Sequence, residues 1–262
     1  MQQDELVRML VDARKARIPV PMPSIFAEGL SVSQAYGLQR RHISAVLEDI
    51  GGHEVGIKLG GGSLESQAKL GLTGPFRGPI FSALTCESPA RLRRGDFCDL
   101  CLIEPEIAFL MAKDVDIGDA PPDRDLLVSA IGAIVLSIEV ADSRYSDFSS
   151  GTPAAIIADL VFAGAWVRGP QIDDWRNIPL DSLRVRLFNG DAELRDSVGG
   201  HAMGDPLIAL VAAAADLWRE GRGLKAGQIV SAGSFTPGYL AQRGDALVAD
   251  FGALGQVSLT LD

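Results

Sequence analysis

The chain has 262 residues, of which 47% are hydrophobic and 22% charged. That composition is too apolar for a disordered chain, and the length is enough for a full core without disulfide or metal staples. With 24 Lys+Arg against 34 Asp+Glu the net charge is −10, which argues against a nucleic-acid partner and requires any anionic ligand to meet a local pocket of positive charge.

The first fifty residues read as helical. Leu6, Met9, Leu10 and Ala13 recur at helical spacing, and after the extended PVPMPS a second helix follows with Ser31 or Ser33 as N-cap and Gly51–Gly52 as its end. The N-terminus carries no apolar run of the kind a secretory leader has. From about residue 53 short β-prone pieces alternate with Gly, Pro and Asp: EVGIKLG, GPIFSAL, DLCLIEPEIAFLMA, AIVLSIEVAD, LRVRLFNG, QIVSAG, ALVADF and QVSLTL. Helical stretches are expected at 153–166 and 205–221. This is not the regular alternation of a doubly wound parallel sheet. The expected fold is α+β, a β-rich domain over 53–262 with a helical region, 1–52, packed on it.

Three acids stand out. On a strand, Glu104 and Glu106 point the same way about 7 Å apart, inside an apolar run. Glu139 sits in a similar setting within AIVLSIEVAD. Carboxylates gathered on one apolar face repel one another and lose hydration, and a hard cation such as Mg2+ or Mn2+ relieves both costs. The same spacing also fits glutamates lining the solvent face of amphipathic strands. Pro105 between the two acids asks for an edge or a bulge. Lys58, between Ile57 and Leu59 and followed by Gly60–Gly61–Gly62–Ser63, can be a proton-moving lysine held in a backbone-rich turn, or a lysine snorkelling from an ordinary strand. The glycine run is neither a P-loop nor a dinucleotide fingerprint.

The remaining candidates carry less chemistry. Cys98 and Cys101 have no second cysteine pair to make a zinc site. His42, His53 and His201 are scattered, so no hydrolase triad is indicated. Asp142 and Arg144 read as an internal ion pair. The turn Gly233–Ser234–Phe235–Thr236–Pro237 exposes amides and hydroxyls on which a carboxylate could dock. No apolar stretch reaches the ~20 residues of a membrane span.

Taken in order, several segments resemble the hydratase/decarboxylase branch of the fumarylacetoacetate hydrolase superfamily. They are ARKARIPVP, LSVSQAYGLQ, GIKLG, IEPEIAF, IEVADSRY, GDPLIAL and the closing GSFTPGYLAQRGDALVADFGALGQVSL. The resemblance spans nearly the whole chain. It implies a mixed β-roll with Mg2+ or Mn2+ held by Glu104, Glu106 and Glu139, and Lys58 beside the substrate as its acid–base group. Gly61, Gly62, Ser63, Arg77, Ser234 and Phe235 are the implied substrate contacts. The implied ligand is a small 2-oxo or 2-hydroxydienoic acid. The implied activity is hydration, with decarboxylation of a vinylogous 2-oxo diacid as the alternative and a non-catalytic acid-binding member as a third reading. A cytoplasmic homo-oligomer, with a paired family subunit as a further partner, is the expected setting.

The sequence departs from the family at identifiable places. Gly74–Pro75–Phe76–Arg77–Gly78 lacks the acid that hydratases often place there. Ala158–Ala163 replaces polar residues with apolar ones, and Ser149 stands where decarboxylase-like members often carry a basic residue. These changes imply a substrate bulkier or more apolar than a pentadienoate, or a second substrate carboxylate facing Arg77.

Overall fold

The computed structural model describes residues 2–61, 68, 74–98, 100–199 and 204–262. Helix α1 (Gln3–Ala16) buries Leu6, Val7, Leu10, Val11 and Ala13. Helix α2 (Val32–Ile50) is capped by Ser31, whose hydroxyl accepts from the Gln34 amide at 3.2 Å. It ends at Gly51, where φ is 72°.

Strands β1 (Glu54–Gly60), β2 (Phe76–Phe81), β3 (Thr85–Glu87) and β4 (Ala90–Leu92) lead to the long β5 (Leu102–Met111). A short helix α3 (Arg124–Ala130) turns the chain into β6 (Ile131–Ala141). Helix α4 (Pro153–Ala158), β7 (Ala165–Ile172), β8 (Arg184–Asn189), β9 (Ala192–Val198) and α5 (Pro206–Arg219) follow. The chain closes with β10 (Ile229–Ser234), β11 (Tyr239–Leu240), β12 (Ala246–Asp250) and β13 (Gln256–Leu261).

The strands form two mixed sheets, one ordered β2-β1-β10-β5-β6-β7-β3 with β11 beside β5, the other β4-β13-β12-β8-β9. The first sheet is rolled. Ile80 on β2 and Trp166 on β7 lie far apart in strand order, yet they share one apolar cluster with Ala108, Val135 and Ile229. Its outer face packs into the main core through Ile103, Ile107, Phe109, Leu136 and Ile138. Helices α1, α2 and α4 share a second core with Phe76, Phe81 and Tyr145. This is the α+β roll that the strand pattern and the resemblance predict.

Pro105 falls in a central strand, not at an edge. Its carbonyl accepts from the Phe235 amide at 2.8 Å, so its missing N–H also faces β10. There the register shifts between Ser231 and Ser234, and the bulge absorbs the lost hydrogen bond.

The stretch 153–166 does not continue as one helix. It stops at Ala158 because the next residue is captured from outside. Arg144 Nε contacts Asp159 Oδ1 at 2.5 Å, its backbone N–H reaches Asp159 Oδ2 at 2.9 Å, and its guanidinium also donates to the carbonyls of Asp159 and Ala163. Asp142 is the more distant acid of this buried cluster, at 3.6 Å. Leu160, Val161 and Phe162 then take φ of 58°, 52° and 60°, a left-handed turn that delivers the chain into β7.

Candidate metal centre and its lysine

Register builds the site. Glu104 stands directly opposite Glu139 on the β5–β6 ladder, and Glu106 opposite Ser137. Residues two apart share a face, so all three glutamates point into the roll. One carboxylate oxygen from each lies within 4.8 Å of the others. Glu106 and Glu139 are 1% and 2% exposed, and Glu104 is half-buried. The solvent-face alternative is thereby excluded for Glu106 and Glu139.

Lys58 projects from β1 onto the same interior and is buried. Its Nζ donates to the Val161 carbonyl at 2.6 Å and pairs with Glu139. Apart from Lys58, no donor among the described residues reaches the Glu139 carboxylate. Ser231, the parallel partner of Lys58 on β10, donates its hydroxyl to Glu106. Ser137 donates to the Glu106 carbonyl at 3.3 Å.

The electrostatics follow from burial. Burial, then repulsion from Glu139, raises Glu104 to about 7, against the opposing pull of Lys58. Burial and both neighbouring acids hold Glu106 well above the usual carboxylate range, and the Ser231 hydrogen bond only partly offsets them. Glu139 is raised by burial and lowered by Lys58. One cation cannot balance three converging carboxylates. A donor set made only of oxygens fits a hard divalent ion in the gap.

The left-handed turn at 160–162 gives the site backbone, not side chains. The Val161 carbonyl is aimed at Lys58, and a β-branched residue in this conformation stores strain of about 1–3 kcal/mol. Gly60 and Gly78 let the turn approach. A Cβ on Gly60 would strike the Val161 side chain, and one on Gly78 would strike the Leu160 carbonyl. Gly78→Ala is therefore expected to cost about 1–3 kcal/mol, as overpacking does, and to lower kcat more than it changes KM. Melting temperature and steady-state kinetics check this, and an unchanged melting temperature would contradict it.

The implied substrate contacts divide. Gly61 closes β1 in the left-handed region, with φ 65°. Gly62 and Ser63 lie outside the described residues. Ser234 pairs across from Glu106, but its hydroxyl is already given to the Thr236 carbonyl at 2.6 Å. Phe235 is corrected: its ring is buried in the main core and does not face the acids. Arg77 is corrected as well. It pairs with Leu59, one residue out of phase with Lys58, and so faces away from the acids. There it joins Glu220 and stacks 4.5 Å over the Tyr36 ring.

Sequence reasoning missed Ser231, Ser137 and the Val161 carbonyl. Ser231 had a signal, a lone hydroxyl among apolar neighbours in QIVSAG. A carbonyl has none.

The rolled mixed sheet is shared with a solved putative fumarylacetoacetate hydrolase family protein from Yersinia pestis CO92, which superposes with a TM-score of 0.60 at 16% identity, covering 82% of this chain and 95% of that one. A solved 4-oxalocrotonate decarboxylase from Pseudomonas putida G7, complexed with magnesium and adipate, superposes with a TM-score of 0.89 at 20% identity, covering 100% of this chain and 99% of that one. No protein-family model matches the chain. Among curated relatives, a 4-oxalocrotonate decarboxylase of a Pseudomonas species is 29% identical over 89% of this chain and 88% of its own. A 2-keto-4-pentenoate hydratase of Paraburkholderia xenovorans is 25% identical over 98% of this chain and 93% of its own. Over most of its length the chain resembles hydratases and decarboxylases, and its fold is shared with solved fumarylacetoacetate hydrolase family proteins. No helix among the described residues is long and apolar enough to cross a membrane.

Proposed function

We propose that this protein is a lyase, dependent on Mg2+ or Mn2+, that adds water to a 2-hydroxy-2,4-dienoate or 2-oxo-enoate. The observation that carries this reading is the convergence of Glu104, Glu106 and Glu139 beside Lys58 inside the roll. A divalent ion bound there supplies Lewis-acid polarisation of a 2-oxo acid and neutralises its carboxylate.

The chain's own groups do the rest. The three glutamates would hold the ion, with Ser231 fixing one of them. Lys58 Nζ, steadied by the Val161 carbonyl and Glu139, holds or delivers the proton at the reacting carbon. The ion and Lys58 together make the positive pocket that a chain of net charge −10 needs for an anionic substrate.

Decarboxylation of a vinylogous 2-oxo diacid is the second reading, favoured by the likeness to 4-oxalocrotonate decarboxylase over most of the chain. Incubation with a 2-hydroxydienoate and Mg2+ separates the two. Loss of dienol absorbance without CO2 supports hydration, and CO2 release from the diacid supports decarboxylation. A protein that binds the acids and turns over neither would be a non-catalytic member. Family likeness also suggests a cytoplasmic homo-oligomer.

The raised carboxyls fix the pH behaviour. Burial and mutual repulsion raise Glu104 to about 7 and hold Glu106 well above its usual value, so both acids bind protons more readily in the metal-free protein. A bound cation displaces those protons. Mn2+ affinity is therefore expected to climb from pH 6 to pH 8, by about tenfold per pH unit for each proton released. Titration calorimetry in buffers of different ionisation enthalpy checks this, and a flat profile would contradict it.

A further inference from the structure

Trp166 on β7 stands directly across from Glu139 and is 3% exposed. Its indole N–H is buried and meets no acceptor among the described residues. Leaving such a donor unpaired is costly, and a buried tryptophan N–H ordinarily has a partner.

Beside it lies a cavity of about 10 Å3 lined by Lys58, Glu139 and Trp166, with Ile80, Phe81 and Ala165 among its apolar walls. That volume suits roughly one water molecule, far less than any substrate fragment. The polar groups around it are complementary. An ammonium carries three hydrogens; Lys58 directs one to Val161 and one toward Glu139, which leaves a third. Neither Glu139 oxygen is fully used. Two donors and one carboxylate acceptor around a one-water space match the three hydrogen bonds typical of buried water.

We infer that Trp166, Lys58 and Glu139 hold one ordered water between them, and that Trp166 is a positioning residue that orients the Glu139 carboxylate through it. The water accepts from the indole and the ammonium and donates to Glu139, which turns the other carboxylate oxygen toward Glu104 and the bound ion. Partners behind a metal ligand commonly set affinity by ten- to a hundredfold. The positioning role rests on the metal reading above, whereas the water site does not.

The test compares Mn2+ dissociation constants for the wild type, Trp166→Phe and Trp218→Phe. Phenylalanine keeps the ring and removes the N–H. Trp218 is a control, because its N–H already donates to the Gly118 carbonyl at 2.8 Å, on the protein surface. Trp166→Phe is expected to weaken Mn2+ binding ten- to a hundredfold with little change in melting temperature, and Trp218→Phe to leave it within twofold. A folded Trp166→Phe with wild-type affinity overturns the positioning role.

If that variant does not fold, a high-resolution crystal structure of the wild type decides. Density for a water within hydrogen-bond reach of Trp166 Nε1 and a Glu139 oxygen supports the site, and its absence overturns it. A wild type that binds no Mn2+ removes the metal reading and with it the positioning role; the density then still decides the water site.

Discussion

Glu106→Gln is expected to make the metal-free protein more stable while weakening Mn2+ binding by more than about 100-fold. The two effects share one cause. Glu106 is buried, and two acids converge on it, so its charged form is held at a cost. An amide of the same shape needs neither a buried charge nor a proton taken up on folding, and it can still accept from Ser231. It cannot supply the charge that a hard cation needs. Loss of a direct ligand exceeds the ten- to hundredfold cost of losing a partner behind one. The metal-free melting temperature should rise, by about 2–4 °C for each kcal/mol gained, and activity should fall with ion binding. A thermal melt without metal and a Mn2+ titration read both. Wild-type Mn2+ affinity in Glu106→Gln would remove Glu106 from the ligand set.

Lys58→Met is expected to separate chemistry from metal binding. The substitution leaves Glu139 without its buried counter-charge, which costs about 3–5 kcal/mol in the metal-free protein. Mn2+ should restore much of that loss, because the ion takes over the neutralising role. Removing a positive charge beside the acids also makes Mn2+ binding at least as tight as in the wild type. The kcat should nevertheless fall 10²–10⁴-fold, the usual loss for an acid–base group. Melting curves with and without Mn2+, a Mn2+ titration and steady-state kinetics separate the three effects. A variant that keeps the wild-type kcat would show that Lys58 only balances charge.

Much of this site was legible in the sequence because strands alternate. The pair Glu104 and Glu106 in an apolar run is a one-face signal that needs no tertiary information. What joins Glu139 to them is register, and the chain between β5 and β6 passes through α3, which no local pattern fixes. Register also explains the error at Arg77. Its neighbour Gly78, not Arg77 itself, pairs with Lys58, so a one-residue difference in phase sends the guanidinium to the opposite face.

The stretch 153–166 misled for another reason. Its apolar residues suit a helix, but Arg144, a residue outside the stretch, captures Asp159 and ends the helix at Ala158. The left-handed turn that follows occupies three residues with no glycine to announce it. Phe235 shows the limit of motif transfer. The turn it belongs to borders the acids through Ser234, while the aromatic ring fills the core.

The most direct measurement is anomalous scattering from a crystal soaked with Mn2+ and oxalate. One strong peak is expected inside the roll, about 2.1 Å from an oxygen of each of Glu104, Glu106 and Glu139, with oxalate completing the ion's shell. A peak bound elsewhere, or no peak while the three carboxyls stay protonated against one another at pH 8, would contradict it.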